Sequence, residues 1–264
     1  MSGPRGRTLA IVQARMTSTR LPGKVLQPLV GAPMIIRQIE RIQRSEALDD
    51  IVVATSDDAS DDELVRVLQA AGVQVIRGPL DDVLARYIKA IDLYQPDVVI
   101  RLTGDCPLVC PSVIDLVVGA FHDSAADYAS NTMRPTYPDG LDVEVIDPKA
   151  LREVAEQSVD LHEREHVTLG VYRHPENFVI ENVTDPERHD NSHLRWTVDN
   201  EKDLDFVRAV YDHLWATNPK FDYADILNFT EDNPAIGRTA ADAARNAALD
   251  DLETGAMQHG GDNR

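Results

Sequence analysis

The sequence predicts an α/β fold with a mostly parallel central sheet and helices on both faces. Short apolar runs at 8–13, 51–55, 73–77 and 98–102 have strand length and read as strands buried on both faces. Between them lie segments of ten or more residues with apolar positions at helical spacing. Strands separated by helices of that length imply right-handed crossovers and parallel pairing. With 264 residues, 43% hydrophobic and 27% charged, the chain can bury one large core, which excludes a fibrous or disordered protein.

The elements follow in order. Residues 8–13 open the sheet, and 33–44 form a helix with Ile35, Ile36, Ile39 and Ile42 inward and Arg37, Arg41 and Arg44 as its wet face. A strand at 51–55, a helix at 61–71, a strand at 73–77 and a helix at 81–94 come next; in the last, Val83, Leu84, Tyr87, Ile88 and Ile91 share a face. The strand at 98–102 precedes a helix at 112–121. Beyond it, 141–146 alternates, with Leu141, Val143 and Val145 on one side and Asp142 and Glu144 on the other, so a mixed or antiparallel addition with a solvated face is expected. Further strands are expected at 178–183 and 194–198, and helices at 148–157, 163–170 and 201–215. Residues 1–237 read as one domain, and 238–264, Ala-rich and then Gly-rich and polar, as a helical or disordered tail.

Charge excludes several function classes. With 26 Lys and Arg against 45 Asp and Glu, the net charge of −19 argues against a nucleic-acid partner or an anionic membrane surface. No apolar run approaches the roughly 18 residues of a membrane span, and the run after the first residues is too short for a secretory signal, so a cytoplasmic location without membrane insertion is expected. Cys106 and Cys110 cannot make a disulfide framework and lack further zinc ligands; they read as buried or half-buried free thiols. The charge is uneven. Residues 1–44 hold eight Lys and Arg against Glu40 alone, a local +7 that leaves −26 for the rest. Such a basic end fits a small anion, with a divalent cation or these few cations offsetting the surrounding acid.

The loop after the first strand concentrates that charge. Arg15, Arg20 and Lys24 lie within Gln13-Ala-Arg-Met-Thr-Ser-Thr-Arg-Leu-Pro-Gly-Lys24, where Pro22 and Gly23 favour a turn that aims Lys24 back at the strand end. Guanidinium forks, a mobile ammonium, hydroxyls and backbone N–H groups are what a triphosphate needs. The loop lacks the Gly and Ser/Thr positions of a Walker A motif, having Ser18 and Val25 there, and no G-x-G-x-x-G follows the strand.

Several motifs occur in order: Ala14-Arg15, Arg20-Leu21-Pro22-Gly23-Lys24, Ala54-Thr55-Ser56, Thr103-Gly104-Asp105-Cys106-Pro107, Tyr137-Pro138-Asp139-Gly140-Leu141-Asp142-Val143-Glu144, Glu163-Arg164-Glu165-His166-Val167 and Thr197-Val198-Asp199. Over about residues 9–237 the chain resembles the cytidylyltransferases, above all the spore coat polysaccharide biosynthesis protein F group, relatives of the 3-deoxy-manno-octulosonate and N-acylneuraminate enzymes. The resemblance implies a nucleotide-diphosphosugar transferase (glycosyltransferase A-like) fold. It also implies transfer of CMP from CTP to an acidic or unusual small-sugar acceptor, with release of pyrophosphate.

It implies catalytic roles for Arg15, Lys24 and Asp105, and nucleotide contacts from Ala14, Arg15, Arg20, Lys24, Thr55, Thr103 and Gly104. It places Asp142, Glu144, Glu165 and His166 near the acceptor, and Asp105 and Asp199 on Mg²⁺. Read from the residues alone, Asp105 and Asp199 could equally cap helices, Asp57 or Asp58 could cap the helix at 61–71, Asp203 is an ordinary first-turn acid, and Asp142 and Glu144 face solvent. Dimers are common among relatives, and 141–146 is the segment expected near such a contact.

His162-Glu163-Arg164-Glu165-His166 formally matches the zinc-peptidase pattern H-E-x-x-H, but the extended form fails at Leu169 and Tyr172 and the flanks are charged. Two other readings remain on the same fold or site: a sugar-1-phosphate nucleotidyltransferase or glycosyltransferase, and a nucleotide-binding module without catalysis.

Overall fold

A computed structural model describes residues 6–239. The expected tail lies outside them except for Arg238 and Thr239. Thr8–Gln13 forms β1, five of whose six residues are buried. After a basic loop, a 3₁₀ turn at Lys24–Leu26 leads into a small hairpin of β2 (Pro28–Leu29) and β3 (Ala32–Pro33), then α1 (Met34–Ile42). Next come β4 (Asp50–Ser56), α2 (Asp62–Ala70), β5 (Gln74–Gly78), α3 (Val83–Tyr94), β6 (Val98–Thr103) and α4 (Pro111–Ser124). The second half holds β7 (Tyr128–Ser130), β8 (Glu144–Ile146), α5 (Pro148–Gln157), α6 (Leu161–Glu165), α7 (Leu169–Arg173), β9 (Ile180–Asn182), α8 (Glu201–Leu214) and α9 (Tyr223–Asp232).

The seven-stranded sheet runs β5-β4-β1-β6-β8-β7-β9. Its first four strands are parallel, and β8 is antiparallel to both β6 and β7. Strand alternation divides the core in two. Ala10 and Val12 face α1, α4 and α8, while Leu9 and Ile11 face α3 and α5. The chain builds outward from β1 to β4 and β5, then returns to place β6 on the other side of β1. Ligands of open α/β sheets bind beyond the strand ends at such a reversal, and there Gln13 stands opposite Thr103.

Several expectations need correction. The helix expected at 163–170 is two short ones, broken where Val167 takes φ 51° and Thr168 turns its hydroxyl to Glu144 at 2.7 Å. Residues 194–198 make no strand: β8 already occupies the edge of β6, leaving only the isolated bridges Asp139–Arg195 and Leu194–Thr239. The alternating 141–146 segment lies inside the sheet, and its expected wet face is covered by α7. Glu144 is buried, and Glu144–Ile146 lies between β6 and β7.

Arg37, Arg41 and Arg44 are not a wet face either. Arg41 is 1% exposed and donates to the carbonyls of Val109 (2.8 Å) and Phe221 (3.0 Å), because the later chain folds over this side of α1. Arg37 stacks on Trp215, 4.1 Å from the ring centroid, and Arg44 reaches the Phe221 carbonyl at 3.4 Å. The β2–β3 hairpin, β7 and α9 carry too few residues or too irregular a pattern to stand out in the sequence. Cys106 and Cys110 are free and buried.

Candidate active site

The basic loop is held by its own backbone and by one buried carboxylate. Gly23 adopts φ 71°, a left-handed conformation that costs a side chain energy and glycine little. This turns Lys24 into the 3₁₀ turn, with Gly23 N–H bonded to the Met16 carbonyl at 2.9 Å. The far side of the loop is tied down by buried Asp61, which accepts from Met16 N–H (2.7 Å), Ser56 N–H (3.0 Å) and Thr55 Oγ1 (2.9 Å).

Lys24 then reaches across the strand ends. Its Nζ lies 3.1 Å from Asp105 Oδ2, 3.1 Å from Asp199 Oδ1 and 2.7 Å from the Val198 carbonyl. Burial opposes the ammonium's charge, but Asp105 and Asp199 outweigh it and raise the Lys24 pKa. For Asp105 burial again works against ionisation, yet the Lys24 charge and hydrogen bonds from Thr103 and Lys24 bring its carboxyl down to about 2. Arg20 approaches Asp199 Oδ1 at 3.0 Å.

Neither aspartate is consumed as a helix cap. Asn200 caps α8 in a capping box with Asp203, and the cap position of α4 is Cys110. Asp203, expected to be an ordinary first-turn acid, is buried and accepts from the N–H groups of Asp199 and Asn200 at 3.0 and 3.1 Å. Arg195 completes the support. It is 2% exposed, donates to Asp139 at 2.6 Å and to Asp199, and lies 3.5 Å from Asp203.

These groups border a cavity of about 420 Å³. Of the residues singled out in the sequence, Ala14, Arg15, Arg20, Lys24, Thr103, Gly104, Asp105, Glu165, His166 and Asp199 line it. Gly104 lets the two strand ends meet, since a Cβ there would stand 2.8 Å from that of Ala14. Arg15 reaches Glu165 at 3.6 Å. Burial outweighs the pull of Glu165 on His166 and lowers its pKa, so the imidazole is neutral at neutral pH.

Three residues singled out in the sequence are not among the lining residues. Thr55 is fully buried against Asp61. Glu144 accepts from Tyr128 (2.5 Å), Tyr172 (2.7 Å) and Thr168 (2.7 Å) and pairs with Arg101, which makes it an internal anchor. Asp142 is half-buried and is not among the lining residues. Among the described residues no cluster of three or more His, Cys, Asp or Glu could hold a metal; Glu163 of the H-E-x-x-H match pairs with Arg173 at 3.0 Å, and His162 is exposed. No described helix is long and apolar enough to cross a membrane.

Sequence reasoning missed Gln13, Arg86 and Arg195. The signal for Arg195 was its place four residues before Asp199; Gln13 and Arg86 carry none without the fold.

A family model for cytidylyltransferases matches residues 9–227. The chain belongs to the cytidylyltransferase family. As a cytidylyltransferase it is a nucleotidyltransferase. It is 34% identical over 231 residues to the spore coat polysaccharide biosynthesis protein SpsF of Bacillus subtilis, a match covering 86% of this chain and 95% of that one. A 3-deoxy-manno-octulosonate cytidylyltransferase of Anaeromyxobacter dehalogenans is 38% identical over 118 residues, 44% of this chain and 47% of the relative. The solved structure of a cytidylyltransferase from Leptospira borgpetersenii superimposes with a TM-score of 0.82 at 29% identity, covering 87% and 96% of the two chains. The fold of this cytidylyltransferase is thus the nucleotide-diphosphosugar transferase fold.

Proposed function

We propose that the protein transfers CMP from CTP to a hydroxyl of an acidic sugar, with release of pyrophosphate, in the synthesis of a surface polysaccharide or glycoconjugate. The observation that carries this reading is the meeting of Lys24 with Asp105 and Asp199 at the end of a basic loop. The polysaccharide context is supported by the description of the Bacillus relative, and the acidic acceptor by that of the Anaeromyxobacter relative.

The donor set fits Mg²⁺. Two carboxylates from separate segments stand 3.1 Å from one cationic nitrogen, and a hard divalent ion needs only one or two carboxylates when substrate phosphates and water complete its shell. Asp105 and Asp199 would hold the ion, which would offset phosphate charge as a Lewis acid. The sugar hydroxyl oxygen gives up its proton to solvent and forms its bond to the α-phosphorus while the bond from that phosphorus to the bridging oxygen breaks, and pyrophosphate departs with the electron pair. Lys24, Arg15 and Arg20 bind and orient the phosphates and offset the charge that grows on the leaving group. Arg195 keeps Asp199 in place. Glu165 and neutral His166 border the same cavity and would meet the acceptor.

The test is pyrophosphate release by the purified protein with Mg²⁺, each of CTP, UTP, ATP and GTP, and a panel of sugar acids including 3-deoxy-manno-octulosonate. Release that requires CTP and a sugar acid supports the proposal. Release with a sugar 1-phosphate and another nucleotide would replace it, and CTP binding with no release from any acceptor would leave a binding module.

A further inference from the structure

The segment that leads into Asp199 is held on both of its edges. On one side Asp139 N–H donates to the Leu194 carbonyl at 3.0 Å, and Trp196 N–H donates to the Asp139 carbonyl at 2.6 Å. On the other side Arg195 N–H donates to the Arg238 carbonyl at 2.9 Å, and Leu194 forms an antiparallel bridge with Thr239. This second edge comes from chain that follows α9 and lies beyond residues 9–227, the span of the family match.

The Arg238 side chain turns toward the same place. It is 13% exposed, and its Nε donates to Asp203 Oδ1 at 3.1 Å. The other oxygen of Asp203, Oδ2, accepts from the N–H groups of Asp199 and Asn200 and lies 3.5 Å from Arg195. Asp203 thus grips the backbone of Asp199, while Arg195 grips its carboxylate.

Charge decides how firm the second grip is. Arg195 faces three carboxylates, those of Asp139, Asp199 and Asp203. One buried guanidinium shared among three acids is drawn toward whichever lacks another cation, because an uncompensated buried charge costs several kcal/mol. Asp203 is 1% exposed, so water cannot take the place of a cation there. With Arg238 on Oδ1, Arg195 bonds Asp139 and Asp199 and keeps the longer distance to Asp203.

We infer that Arg238 is a positioning residue for Asp199: by offsetting the charge of Asp203 it leaves Arg195 to hold the Asp199 carboxylate. The inference rests on the proposed Mg²⁺ role of Asp105 and Asp199, and extends it to a residue that does not line the cavity and lies outside the family match.

The experiment measures CTP binding to the full-length protein by calorimetry in Mg²⁺ and in EDTA, with the melting midpoint of the unliganded protein as a check of folding. The ratio of the Kd in EDTA to the Kd in Mg²⁺ isolates the metal-dependent part of binding. Arg238→Met keeps the length of the side chain and removes its charge. It is expected to lower that ratio about ten-fold, the usual effect of losing a group that orients a metal ligand, and to leave the Kd in EDTA unchanged. Arg238→Lys keeps a cation for Asp203 and is expected to restore the ratio toward the wild-type value. If Arg238→Met does not fold, Arg238→Gln, which keeps a donor for Asp203 but no charge, is read in the same way. An unchanged ratio in the folded variant, or equal weakening of CTP in Mg²⁺ and in EDTA, overturns the inference. Wild-type protein that binds CTP equally in Mg²⁺ and in EDTA overturns the proposed Mg²⁺ site itself.

Discussion

Lys24 Nζ stands 3.1 Å from Asp105 Oδ2, a contact between residues 81 positions apart that closes the basic loop onto the end of β6. Lys24 is 8% exposed, so its charge is tolerated only because Asp105 and Asp199 face it. The same pairing tells what its loss does.

Lys24→Met is expected to lower the rate of pyrophosphate release by about 10²–10³-fold, the usual cost of removing one group that stabilises transition-state charge. It also takes away the ammonium shared by Asp105 and Asp199, leaving Arg20 and Arg195 on Asp199 alone. Added Mg²⁺ should therefore raise the variant's melting temperature more than the wild type's, and chelation should cancel the difference. An equal Mg²⁺ response in both proteins would place the ion elsewhere.

The Asp105 pKa, about 2 in the fold, lies below the value of roughly 3.9 for a free aspartate. Between those values the unfolded chain binds the extra proton, so stability rises with pH there. The contribution is fully present above about pH 5 and is lost as pH falls through about 2. Denaturant melts at pH 5, 4, 3 and 2 should show a shallower decline for Asp105→Asn than for the wild type. Parallel declines would remove Asp105 from the acid response.

Glu144 is the buried acceptor for Tyr128, Tyr172, Thr168 and Arg101. Glu144→Ala strands the Arg101 charge and three hydroxyls, and a loss of about 3–5 kcal/mol in unfolding free energy is expected. Urea denaturation measures it.

Gly140 adopts φ 109°, and a Cβ there would stand 2.5 Å from the Thr197 backbone nitrogen and 2.6 Å from the Trp196 carbonyl carbon. Backbone cannot yield as a flexible side chain does. Gly140→Ala is expected to cost about 2–4 kcal/mol and to push the 195–199 segment, with Asp199, away from Lys24. Melting and pyrophosphate release should fall together. Loss of stability with full activity would show that Asp199 is positioned without this contact.

The parallel half of the sheet was legible because each strand is apolar and each helix keeps one periodic face. Local pattern failed where a long-range partner decided the outcome. Arg41 was assigned to solvent for its charge, although 34, 38 and 41 share one face of α1; Phe221, 180 residues later, covers it. Residues 194–198 have a strand's composition but no free edge to join. Glu144 belongs to an alternating segment whose polar face is covered by α7, so alternation pointed to water where there is a hydrogen-bonded anchor.

At the site, Arg15, Arg20 and Lys24 stood out because turn residues and charges cluster next to a strand end, whereas Asp105 was singled out mostly through the family resemblance. Asp199 was visible only through the family resemblance. Gln13 and Arg86 were invisible, since a glutamine and an arginine of ordinary context become distinctive only when their neighbours are known, and Arg195 carried only its place four residues before Asp199.

From residue order alone came the α/β class, the position of the basic loop and the family, because hydrophobic period, turn chemistry and ordered motifs are properties of neighbouring residues. Which carboxylates face Lys24 and which arginines are buried were decided by tertiary contacts. Each of those outcomes depends on bringing together groups tens to hundreds of residues apart, where burial makes charge and hydrogen bonding strict.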